Sequence, residues 1–211
     1  METSVVPEAS TPLGLAQIFT LFFLMIGPLK VIGPFAMATR EMSGPERNRF
    51  ALKAFTISTI AVLVGGLLGA QLIVKWNVTV PALTLAAGLV FLLVALRMVL
   101  IQYEPPPPPP ESTSKPNTLE FSFPNVITPY GIAAVIAVMT IASDRLAVIV
   151  GLILAVMVLD LLAMLFARPI LGALGLPLKV VGSVLGVAQV ALAIQIILNA
   201  LRAAQVIAPA S

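Results

Sequence analysis

Six apolar runs, each close to the length that spans a bilayer, constrain this chain more than any other feature. A helix rises 1.5 Å per residue and needs about 20 apolar residues to cross the hydrocarbon. The runs at 13–39, 50–74, 80–101, 124–141, 146–167 and 180–201 meet or approach that length. Lipid offers no partner to backbone N–H and C=O groups, so such segments cross as helices that satisfy their own. Composition agrees: 59% of the 211 residues are hydrophobic and 10% are charged, against about a quarter charged in soluble domains. Mean hydropathy is +1.08. The expectation is an all-α polytopic membrane protein, one membrane domain over 1–211, with the lipid bilayer as its first partner.

Several function classes drop out on residue types. The chain has no Cys and no His. Disulfides, thiol chemistry, haem or zinc sites built on those ligands, and His acid–base catalysis are excluded. The net charge of +3 is spread along the chain and gives no footprint for nucleic acid. No Gly-x-x-x-x-Gly-Lys-Ser/Thr loop is present, so no nucleotide site is read. No metal, no cofactor and no enzymatic activity are expected. Glu2 and Glu8 stand where a secretory signal would carry basic residues.

Between the third and fourth runs lies YEPPPPPPESTSKPNTLE. Six consecutive prolines favour an extended polyproline II linker. The chain divides into a first three-helix unit at 13–101, a linker at 102–123 and a second three-helix unit at 124–203. Lys and Arg counts set the orientation, because cytoplasmic loops carry the excess. With the N-terminus outside, the inner segments hold Arg40, Arg47, Arg49, Lys53, Arg97, Lys115, Arg168 and Lys179, and the outer ones Lys75, Arg145 and Arg202. Both termini are therefore expected on the periplasmic side of a bacterial inner membrane. Trp76 then falls at the outer interface and Tyr103 at the inner one.

The two units echo each other. The first run contains VIGPF at 31–35 and the fourth VITPY at 126–130, with Pro28 and Pro124 upstream. GLVFLLVALRMVL from Gly88 and GVAQVALAIQIIL from Gly186 align at the glycines, at Ala95 with Ala193 and at Leu100 with Leu198. Three helices per unit is odd, so the second unit enters from the opposite side. The fold reads as six helices in a 3+3 inverted repeat with interrupted first and fourth helices. In transporters of this build, paired interruptions mark the substrate site. The fourth run is short and proline-rich, and reads as re-entrant or broken.

Candidate pathway residues follow from that reading: Gly27, Pro28, Gly33 and Pro34 at the first break, and Asn125, Thr128 and Pro129 at the second. Lys30 and Asp160 are the ionisable residues deepest in apolar sequence. Both lie past the midpoints of their runs, roughly 6 Å and 5 Å toward the cytoplasm. At similar depth they are expected to neutralise each other or to hold opposite ends of a polar solute. Snorkelling of Lys30 is the plainer alternative. Gln195 and Asn199 lie one turn apart, on one face of the last helix. Ala61, Gly65 and Gly69, and likewise Gly182 and Gly186, form small-residue strips suited to helix packing. Ser43 and Glu46 have capping-box spacing at the start of the second helix.

These residues resemble the MarC family of bacterial integral membrane proteins. MSGPERNR and VPALTLAAGLVFLLVALRM, within 42–99, look like its loop and third-helix patterns; PNVITPYGI resembles its Pro-x-x-x-Gly-Pro-Gly-x-Ile motif and LGVAQVALAIQIILNAL its final helix. The resemblance covers nearly the whole chain outside the linker and termini. It departs at the breaks. The family's first helix commonly reads Asn-Pro-x-Gly-x-x-Pro-x-Phe, whereas this chain has Gly27 for the Asn, Lys30 for the Gly and Pro34 displaced by one; Thr128 and Tyr130 replace glycines. By helix count and repeat organisation the family is similar to small amino-acid exporters of the LysE kind. That similarity is an analogy of organisation; it is the paired interruptions and the charges beside them that read as a secondary transporter or exporter of a small polar or amphipathic solute. The alternative is a non-transporting membrane scaffold or stress-related partner subunit. A homo-oligomer is left open.

Overall fold

A computed structural model describes residues 14–100 and 117–206, apart from the side chains at 97, 98, 124, 174–183 and 185. Arg97, Tyr103, Lys115, Lys179, Gly182, the Pro124 ring and most of the linker lie outside the described residues. Within them the chain is all-helical: α1 (Leu15–Met25), α2 (Ile32–Ala38), α3 (Gly44–Lys75), α4 (Val80–Leu100), α5 (Thr118–Asn125), α6 (Pro129–Ile141), α7 (Leu146–Leu165) and α8 (Ala167–Ala203). Single 3-10 turns occupy Pro28–Lys30 and Ser143–Arg145. Among the described residues four stretches are long and apolar enough to cross a membrane: Leu15–Ala38, Gly44–Lys75, Ser143–Leu165 and Gly186–Ala203. Val80–Leu96 and Pro129–Ile141 are shorter apolar segments.

Local chemistry explains most boundaries. Ser43 caps α3, and the Glu46 carboxylate accepts from the Ser43 N–H at 3.1 Å and from its hydroxyl at 2.9 Å. Pro45 sits in the first turn, where a missing N–H costs nothing. Asn77, at φ 52°, ends the helix in the left-handed region, and the Val78 N–H closes back on the Ile73 carbonyl at 3.0 Å. The Thr128 hydroxyl accepts from the Gly131 N–H at 3.2 Å and caps α6.

Two boundaries differ from the sequence reading. Helix α5 begins at Thr118, inside the stretch read as linker, because Asn117 supplies an N-cap by accepting from the Leu119 N–H at 3.0 Å. Helix α8 begins at Ala167 rather than near 180 and runs 37 residues, about 55 Å. The Gly- and Pro-containing stretch between the fifth and sixth apolar runs is helical.

The core lies where the two breaks cross. Phe22, Met25, Ile26, Val31 and Phe35 meet Val126, Ile127, Val135, Ile153 and Met157, all fully buried. Phe35, Phe50 and Phe121 join α2, α3 and α5 through ring centroids 5.3–6.1 Å apart. Helix α4 packs most extensively along α8, and α3 along α6. Leu93, Ile60, Val158 and Val184 are among the many large apolar side chains left outward-facing. A face of that kind suits acyl chains rather than water.

Candidate functional site

Helix α1 ends at Met25 because Gly27-Pro28 follows. Proline has no N–H, so the Leu24 carbonyl loses its helical donor. Gln189 on α8 takes its place, with Nε2 3.4 Å from that carbonyl. The next carbonyl, Met25, receives the Lys30 ammonium at 2.8 Å. Gly27 is required by space: a Cβ there would overlap the Phe23 carbonyl. The chain then makes the 3-10 turn Pro28–Lys30 and resumes as α2. Pro34 falls in the first turn of α2, where a proline is tolerated.

The second break is built differently. Phe123 leaves helical geometry at φ −106° and ψ 121°, as expected of a residue preceding a proline. The Asn125 side chain donates to the Phe121 carbonyl at 2.9 Å. The Val126 and Ile127 N–H groups both turn back to Ser122. The Val126 carbonyl is then free to face the first break, and Lys30 Nζ lies 3.3 Å from it.

Lys30 therefore ties the two breaks together. Its ammonium also lies 5.5 Å from the centre of the Tyr130 ring, within cation–π range, and that ring packs on Phe91 at 5.2 Å. Asp160, on α7 beside the Pro28–Lys30 turn, is fully buried. Each of the two charges lies within Coulombic reach of the other. Yet both Asp160 oxygens are buried without a hydrogen-bond partner. A buried carboxylate in that condition costs several kcal/mol in effective penalty; binding or proton transfer is the usual reason one is kept in a membrane interior.

The structure thus brings Gly27, Pro28, Lys30, Asn125, Thr128 and Pro129 to one crossing, with Asp160 beside it. Gly33 is further along α2, with open space where a Cβ would stand. Gln195 and Asn199 do share a face, but an exposed one, and they bond each other at 2.9 Å. Gly65 and Gly69 meet Ile132 and Ile136 of α6, and Gly66 meets Val135 and Met139. At the crossing Met25, Ile26, Val126, Ile127 and Thr128 are buried, Pro28, Lys30 and Asn125 partly so, and Pro129 is exposed. An open depression of about 480 Å³ lies elsewhere, walled by Leu162, Ala163, Phe166, Pro169, Ile170 and Ala173.

Gln189 recurs with Gln195 and Asn199 along the last apolar run, where such residues commonly bond a neighbouring helix; it sits on the buried stripe Gly186, Gln189, Ala193, Ala200 and bonds α1 at Leu24. Arg168, counted among the inner-segment charges that set orientation, donates to the carbonyls of Thr39, Arg40 and Met42 at 2.7, 3.1 and 3.2 Å. It closes the end of α2, and nothing local in sequence marks that contact.

The chain matches the model of a family described as MarC family integral membrane protein over residues 14–205. It is 25% identical over 195 residues to the "UPF0056 membrane protein MJ1677" of Methanocaldococcus jannaschii, covering 88% of this chain and 95% of that one. No solved structure matches it.

Proposed function

The chain belongs to the MarC family of integral membrane proteins, and on that premise we propose that it is a secondary transporter or exporter of a small polar or amphipathic solute. The observation that carries this reading is the meeting of two interrupted helices around Lys30, beside a buried carboxyl group that no hydrogen bond satisfies. Interrupted helices expose backbone polar groups where a solute or ion can reach them. The proposed architecture is a 3+3 inverted repeat whose six spans are α1–α2, α3, α4, α5–α6, α7 and α8. Its support lies in the packing. Exchanging the units maps α3 on α5 to α7 on α1, α3 on α6 to α7 on α2, α4 on α6 to α8 on α2, and α1 on α6 to α5 on α2, and all of these contacts occur.

Both termini are proposed to face the outside of the cell (inner) membrane, following the Lys and Arg distribution. Access would alternate around the crossing, with Lys30 holding an anionic group and Asp160 pairing with it or carrying a proton. No catalytic step is proposed.

One observation favours a second reading. Much of the crossing is buried apolar packing, as a scaffold or partner subunit would have it, and as an occluded transporter would too. Uptake and efflux of a labelled solute panel in proteoliposomes separates them. Wild type is expected to move at least one polar solute, and Lys30→Met to abolish that flux. A panel in which nothing moves in either direction favours the scaffold.

A further inference from the structure

Lys30 has the coordination of a bound cation. Its ammonium is held by two backbone carbonyls from different helix breaks, Met25 at 2.8 Å and Val126 at 3.3 Å. A tyrosine face lies 5.5 Å away, and the buried Asp160 carboxylate, with both oxygens unpartnered, provides the opposite charge. Unwound carbonyls together with a carboxylate are the oxygen donors that hard cations select, and carbonyls freed at broken membrane helices are a known setting for alkali ions. The carbonyls are also orphans of the fold. Proline and the turn geometry free them, and they need a positive partner whether or not a lysine is present.

We propose that the crossing is a monovalent-cation site whose ligand is tethered: Lys30 occupies with its own ammonium a position that otherwise takes an alkali-metal ion. Charge selects the monovalent class. One ammonium balances one carboxylate, whereas a divalent ion would leave a net positive charge in the apolar interior. The tether removes the need to bind an ion from solution, so the wild-type crossing is complete in any salt. The inference concerns the same crossing as the proposed pathway but does not require that anything be transported, and its test reads stability rather than flux.

The test uses the full chain in lipid nanodiscs, with choline, sodium, potassium or methylammonium chloride at equal ionic strength. The wild type is expected to melt at one temperature in all four. Lys30→Gly, which removes the tether and leaves the carbonyls in place, is expected to melt lower in choline. It should recover saturably in sodium, potassium or methylammonium, by about 5–10 °C at 100-fold the dissociation constant. Lys30→Ser serves as the second variant if Lys30→Gly is recovered poorly. Adding Asp160→Asn is expected to abolish the cation response. A Lys30 variant that melts alike in all four salts overturns the proposal. So does a response that survives Asp160→Asn, or failure to recover either variant in any of the salts.

Discussion

Gly27 and Gly33 flank the 3-10 turn and are not equivalent. A Cβ at Gly27 meets the Phe23 carbonyl, whereas one at Gly33 meets open space within a helix. Gly27→Ala should therefore destabilise by about 1–3 kcal/mol, the usual cost of overpacking. Gly33→Ala should be neutral or stabilise by up to about 1 kcal/mol, from helix propensity. Denaturation in lipid nanodiscs distinguishes the two. The charges make a second pair of predictions. Lys30→Met strands Asp160 and should cost about 1–3 kcal/mol, less than breaking a fully buried pair because Lys30 is only partly buried. Lys30→Met with Asp160→Asn removes both charges and should cost less than the sum of the single changes. Additive losses would show that the two residues do not sense each other.

Packing of α3 on α6 decides which small residues matter at the element scale. The small strip was legible as Ala61, Gly65 and Gly69, but its strictest members are Gly66 and Gly69. A Cβ at Gly69 would overlap Ile136, and one at Gly66 would press on Val135 and Met139; at Gly65 Ile132 leaves an ordinary 3.8 Å. Gly69→Val should lower the melting temperature by several degrees, corresponding to about 1–3 kcal/mol, while Gly65→Ala leaves it nearly unchanged. Arg168 is the other element-scale contact. Arg168→Ala removes a donor from the Thr39, Arg40 and Met42 carbonyls beyond the end of α2, the first of which keeps the Met42 N–H, so amide exchange should rise around residues 39–43 while the remainder of the chain keeps its protection.

Orientation belongs to the whole molecule, and the chain lends itself to measuring it because it contains no cysteine. A single Asn48→Cys should react with an impermeant maleimide only from the cytoplasmic side. Asn77→Cys and Gln205→Cys should react only from the outside. The reverse pattern would invert the proposed topology. A two-sided inverted repeat also predicts that substitutions at exchange-related contacts, α4 on α6 and α8 on α2, perturb opposite faces of the crossing.

The sequence by itself determined the membrane class, most of the apolar segments, the cap at Ser43 and Glu46 and both break positions. Each depends on neighbours within a turn or on summed hydropathy, and such effects are written locally. It also singled out Lys30 and Asp160, since charge in an apolar run is conspicuous anywhere. Only the tertiary structure decided that Lys30 spans both breaks, that Gln189 and Arg168 bind freed carbonyls, and that Gln195 and Asn199 face outward. Those outcomes depend on which way a helix is rotated against partners as many as 165 residues away. The rotation is settled by packing of the whole set, through glycines and buried side chains whose fit no single stretch of sequence contains.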